Sequence, residues 1–144
     1  MSGVGLWGVK LTKANLSRAN LKDAKLSSAH AEGAVLDEAD MRMSEIGIAK
    51  FDNASLKRAN LSGAKIGPGY FEGANLTGAN LTGARLTGIR LIKSVLVNAN
   101  LENSRLKDAD LTQADLRGAN LKGANIGTGL LREDRSKTSL SQEF

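Results

Sequence analysis

A large apolar residue returns at every fifth position of this chain without a slip. From Leu11 to Ile126 in steps of five there are 24 such positions, and 23 hold Leu, Ile, Met or Phe; Ala31 is the exception. Calling each of them i, position i−2 is predominantly small: 18 of the 24 are Ala, the others being Val9, Ser44, Gly69, Ile89, Ser94 and Ser104. A fixed short period dictates a repeat architecture and takes precedence over any local propensity.

The period excludes the two regular structures. An α-helix turns about 100° per residue, so a five-residue repeat drifts about 140° each time and never makes one buried stripe. A long strand alternates with period two, and five is odd. A short extended segment closed by a corner satisfies both facts. Positions i−2 and i point inward, i−1 and i+1 point outward, and i+2 turns. Gly33, Gly63, Gly73, Gly78, Gly83, Gly88, Gly118 and Gly123 all fall at i+2, where a turn favours glycine. With 41% apolar but only 3% aromatic residues, the interior is built of Ala and Leu.

Stretches such as Ala74-Asn75-Leu76-Thr77-Gly78, Ala79-Asn80-Leu81-Thr82-Gly83 and Ala119-Asn120-Leu121-Lys122-Gly123 resemble the A(N/D)LXX motif of pentapeptide-repeat proteins. The resemblance covers residues 4–131. It implies an all-β fold: a right-handed quadrilateral β-helix with four pentapeptides to a coil, about six coils at ~4.8 Å spacing. Residues 20 apart then stack, which places Ala31 next to Phe51, Gly69 next to Ile89, and Phe51 on Phe71. Close packing tolerates neither voids nor overfilling, so small inward residues are expected beside large ones.

Outward residues fall into columns by the same arithmetic. Asn20, Asp40, Asn60, Asn80, Asn100 and Asn120 form one, expected to hydrogen-bond one another and nearby backbone. The inward Ser44, Ser94 and Ser104 are expected to bond the adjacent backbone. Lys25, Lys65, Arg85 and Arg105 form a basic column interrupted by Glu45, while Glu32, Asp52 and Glu72 run beside Lys10, His30, Lys50 and Arg90. Such lines read first as a solvated, self-paired surface; the basic one is also a candidate contact for an acidic partner. Ile92, Val95 and Val97 are apolar at outward positions and are flanked by Arg90 and Lys93, which makes this corner the candidate partner-binding patch.

Catalysis finds no support, and no cofactor or metal is expected. His30 is the single histidine and has no activating companion, the chain has no cysteine, and no zinc, EF-hand or phosphate-loop spacing occurs. Nucleic acid is not expected as a partner, since aromatics for base stacking are few. No apolar run of about 18 residues exists to span a membrane. The start lacks a signal-peptide layout, so a cytoplasmic location is expected.

Residues 1–10 are read as an N-terminal cap carrying Val4, Leu6, Trp7 and Val9, residues 11–131 as the solenoid, and 132–144 as a C-terminal cap and partly disordered tail. The expected function is a non-catalytic scaffold that displays side-chain columns to a protein partner, with self-association through the apolar patch or a solenoid end as one route. The resemblance also implies an alternative, a DNA mimic that protects or inhibits a type II topoisomerase, which a net charge of +5 disfavours. A further one is a repeat module of a larger adaptor.

Overall fold

The computed structural model describes residues 3–127, and across them the chain turns every five residues. Each turn occupies i+1 and i+2, and the amide of the following i−2 residue closes it on the carbonyl of i, as in Ala14 to Leu11 at 2.9 Å and Ala79 to Leu76 at 3.0 Å. A positive φ at the second central residue is the requirement of a type II turn. The eight glycines at i+2 meet it, with φ between 65° and 70°. So do 14 non-glycine residues, including Met43 and the β-branched Ile48. The corner therefore favours glycine without demanding it. Pro68, whose ring fixes φ negative, makes its corner through a cis Gly67–Pro68 peptide.

Between turns only residue i−1 is left to pair with a neighbouring coil. It does so in parallel with the residue 20 positions on, as Gly5 with Lys25, Lys25 with Glu45, and onward to Arg105 with Asn125. These bridges stand singly: the described residues contain neither an α-helix nor a run of consecutive bridged residues. The expected extended segments are thus as short as pairing permits, because a corner interrupts each one. Four turns per 20-residue step give each coil four sides. Side 1 is centred on Leu11, Ala31, Phe51 and those above, side 2 on Leu16 and Leu36, side 3 on Leu21 and Met41, and side 4 on Leu26 and Ile46.

The interior is closed. Inward residues from Leu21 to Leu116 are almost all buried, with Ala at i−2 letting opposite walls approach. Phe51 and Phe71 stack with centroids 5.0 Å apart and planes at 7°, as the register requires. The ladder also sets Ala31 one coil from Phe51, through the His30–Lys50 bridge.

The same ladder sets Gly69 beside Ile89, with the Arg90 amide donating to the Gly69 carbonyl at 2.9 Å. A Cβ on Gly69 would lie 2.8 Å from the Ile66 carbonyl oxygen and 3.1 Å from the Phe71 ring. The Phe71 ring leans into the vacancy two residues away, nearer than any group on the next coil. Ser44 and Ser94 donate to the carbonyls of Met41 and Leu91 at 2.7 Å, as expected, but the buried Ser104 hydroxyl has no partner among the described residues. Its amide bonds the Leu101 carbonyl at 3.1 Å, just as those of Ser44 and Ser94 bond Met41 and Leu91. Residues 128–144, including Leu130, Leu131 and the expected C-terminal cap, lie outside the described residues.

Two glycines separate packing from backbone conformation. A Cβ on Gly67 would overlap the Thr87 carbonyl of the next coil, whereas one on Gly83 meets nothing within 4 Å and is opposed only by its φ of 65°. Gly67→Ala should therefore cost about 3 kcal/mol or more, and Gly83→Ala about 1 kcal/mol. Thermal unfolding of the two variants checks that order.

Candidate interaction surface

What the outer surface offers depends on one amide per pentapeptide. In residues 74–78 the amide of Ala74 closes a turn on Phe71, Asn75 donates to Ala54 one coil back, and Leu76 and Gly78 donate to Val95 and Val97 one coil ahead, at 2.7 to 3.1 Å. The remaining amide, at i+1, faces outward. Asn75 takes it: its Oδ1 accepts from Thr77 N at 3.1 Å and from the Thr77 hydroxyl at 2.7 Å. Such an Asx turn is what a short amide or carboxylate side chain does best. The same cap recurs on sides 2 and 3 at Asn15, Asn20, Asp40, Asn60, Asn80, Asn100, Asp115 and Asn120. The asparagine column is thus mainly a line of turn caps, with a direct amide–amide bond from Asn120 to Asn100 at 3.1 Å.

Where i−1 cannot cap, a carboxylate from the coil below can. Asp37 accepts from Lys57 N at 3.0 Å and Asp52 from Glu72 N at 2.8 Å, above positions where i−1 is Ser55 and Tyr70. Of the acidic column on side 1, Asp52 therefore caps an amide of the next coil, and Glu32 accepts from Thr12 at 3.3 Å. The Glu32 carboxyl is held below its ordinary range first by its own backbone amide, with His30 and Thr12 adding to the effect.

Four other carboxylates are ion-paired. Glu38 bridges Arg18 at 3.0 Å and Arg58 at 2.5 Å up one corner, Asp40 holds Arg42 at 2.7 Å, and Asp115 holds Arg117 at 2.6 Å. In the basic column Lys65 is paired to Glu45 at 2.9 Å and Lys25 lies 5.4 Å over the Trp7 ring. Arg85 and Arg105 sit next to each other in the ladder and form no ion pair among the described residues.

The apolar surface lies partly where the sequence pointed. Ile92, on side 1, and Val95 and Val97, on side 2, flank one corner, with Arg90 and Lys93 exposed beside them, but all three aliphatics are half-buried. The large apolar side chains that are exposed are Trp7 at 63%, Ile48 at 59%, Met43 at 56% and Tyr70 at 36%. Met43 and Ile48 were legible in one respect, as aliphatics at i+2, where glycine or a polar residue is the rule. No inward site competes with this surface. The interior gap lined by Ile66, Phe71, Leu76 and Leu91 presents no polar group, and no cluster of metal-ligating side chains occurs among the described residues.

The family model of pentapeptide repeats matches residues 14–45, 69–91 and 94–127, in eight copies. The chain belongs to the pentapeptide-repeat family. No curated protein matches it. Among solved structures it is similar to the pentapeptide repeat protein Rfr23 from the cyanobacterium Cyanothece 51142, at 28% identity over 88% of this chain and 86% of that one, with a TM-score of 0.44. HetL, a pentapeptide repeat protein involved in heterocyst differentiation regulation from Nostoc sp. strain PCC 7120, is 23% identical over 87% and 86%, with a TM-score of 0.32. QnrB1, a plasmid-mediated fluoroquinolone resistance protein, is 21% identical over 90% and 75%, with a TM-score of 0.43. No helix among the described residues of this pentapeptide-repeat chain is long and apolar enough to cross a membrane.

The paired carboxylates set the pH response of this pentapeptide-repeat surface. Hydrogen bonds from Arg58 and then Arg18 lower the Glu38 pKa, Arg42 lowers that of Asp40, and Lys65 that of Glu45. A carboxylate with a depressed folded pKa stabilises above its unfolded value of about 4, and that stability is lost as pH falls through the folded one. Tm should be flat near neutral pH and decline on acidification, and Glu38→Gln should make the decline shallower. A decline equally steep in that variant would show that the Arg18–Glu38–Arg58 corner is not part of the acid response.

Proposed function

We propose that this protein is a non-catalytic scaffold, a right-handed quadrilateral β-helical rod that presents fixed columns of side chains to a protein partner. The observation that supports this reading is the division of labour within the pentapeptide. Three of five positions are committed to the interior and the corner, and the outward two are spaced by a ladder that cannot slip without moving every side chain. Rigid display costs little ordering entropy on binding. Residues 1–10 belong to this proposal as a protective end for the first coil, with Trp7 packed over Gly5. A DNA-mimic role asks for a continuous acidic surface. Here Glu38, Asp40, Glu45 and Asp115 are each neutralised by an arginine or lysine.

The corner formed by Ile92, Val95 and Val97, with Arg90 and Lys93 as a cationic rim, is the first contact to test. Desolvating apolar surface favours association by roughly 25 cal/mol per Å². The double variant Val95→Ser, Val97→Ser should still fold and melt within about 2 kcal/mol of wild type, because both residues are outward and only half-buried. Partner capture from the native host, measured with wild type and variant side by side, should weaken. Undiminished capture would place the contact elsewhere on the rod.

A further inference from the structure

Side 4 differs from its neighbours in a way that the fold does not require. Its i−1 column reads Lys25, Glu45, Lys65, Arg85 and Arg105, with no Asn or Asp below Asn125. Its i+1 column carries no carboxylate either. The amides of Ser27, Gly47 and Thr87 therefore make no hydrogen bond among the described residues. On side 3 every i+1 amide among the described residues meets an Asn or Asp oxygen, and on side 2 those of Ser17, Lys57, Thr77 and Arg117 do, whereas those of Asp37 and Val97, which follow Val35 and Val95, do not. On side 4 those of Ser27, Gly47 and Thr87 are uncapped, as are those of Thr12, Asp52 and Ile92 on side 1, but side 4 alone combines this with an i+1 column free of carboxylates.

Three more observations converge there. Arg85 and Arg105 stack in adjacent coils without a carboxylate, and like charges directly opposite each other in a ladder are unfavourable. Gly47 leaves the backbone bare for no packing reason: its φ is not positive, and a Cβ would find only the Gly67 carbonyl oxygen, at 3.8 Å. The exposed large apolar residues also border this side. Trp7 lies on it, Met43 and Ile48 form the two corners of its second coil, and Tyr70 follows the Pro68 corner.

We propose that side 4 docks an acidic segment of a partner protein, laid along the rod. Its carboxylates take the place of the missing Asn and Asp oxygens on the amides of Ser27, Gly47 and Thr87, and they pair with Arg85 and Arg105. Apolar residues of the same segment cover Met43 and Ile48. This deepens the scaffold reading and rests on it. A single-stranded nucleic acid fits less well, because stacked bases need open rings. Lys25 already lies over Trp7, Arg90 lies 5.5 Å over Tyr70, and Glu45 stands within the cation column.

The test replaces the partner's oxygen with the chain's own. The variant Arg85→Asn, Arg105→Asn supplies Asx caps to the amides of Thr87 and Lys107 and removes the stacked charges, so Tm should hold or rise. Binding of a fluorescent peptide alternating Asp or Glu with Leu, followed by anisotropy on the full chain, should weaken about tenfold in that variant. Gly47→Leu should fold normally and weaken the peptide as well. Peptide affinity unchanged in both variants overturns the assignment, as does tighter binding of an oligo-dT probe than of the peptide. Loss of native-partner capture by the Val95→Ser, Val97→Ser change, with side 4 variants capturing normally, would sink side 4 while leaving the scaffold reading intact.

Discussion

Five backbone amides per pentapeptide must find acceptors while the chain turns a corner every five residues, and the whole molecule follows from how that is done. One amide closes the turn, one reaches back a coil and two reach forward. The coil-to-coil bonds fix the 20-residue step, and the step fixes which side chains stack. Leaving a buried amide unpaired costs on the order of 1–3 kcal/mol. A register shift would unpair many at once and turn inward leucines outward. The repeat tolerates no slip because its hydrogen bonds do not.

The fifth amide escapes this constraint, and the surface is written around it. Where Asn or Asp stands at i−1, the protein satisfies the amide itself and the side becomes a quiet polar face. Where Lys or Arg stands there, the amide is left to solvent or to a partner. Side 3 is of the first kind throughout, and side 2 is so except behind Val35, Ser55 and Val95. Side 1 is capped in places, at Glu72 by Asp52 and at Thr112 by Asp110, and open at Thr12, Asp52 and Ile92, while side 4 has a side-chain cap only at Gly127, from Asn125, among the described residues. Open backbone on the surface of this fold is thus made by omitting a local cap, with no change to the interior.

Much of this was legible in the sequence, because a rule repeated two dozen times averages out local accidents. Leu, Ala and the corner glycines carried the coil, and the coil carried the Phe51–Phe71 stack. Three things were not legible. The Phe71 ring packs closest to Gly69 from two residues away, a local contact that the 20-residue register does not foresee. The Ser104 hydroxyl lacks the carbonyl partner that Ser44 and Ser94 find, although all three occupy the same position in the repeat. The third is the surface. Ile92, Val95 and Val97 read as outward and apolar but are half-buried, whereas Met43 and Ile48 stand out from corners whose positive φ projects the side chain into solvent. A periodic reading sorts residues into inward and outward, yet exposure also depends on where along the coil an outward residue sits.

Amide hydrogen exchange, residue by residue, tests this account most directly. The i+1 amides of Ser62, Thr77 and Thr82, each capped by an asparagine oxygen, should exchange slowly, along with the turn and ladder amides around them. Those of Ser27, Gly47 and Thr87 should exchange much faster, although they occupy the same position in the repeat. Equal protection of the two sets would contradict the claim that the side-chain cap, rather than the backbone, decides which face of the rod is left open.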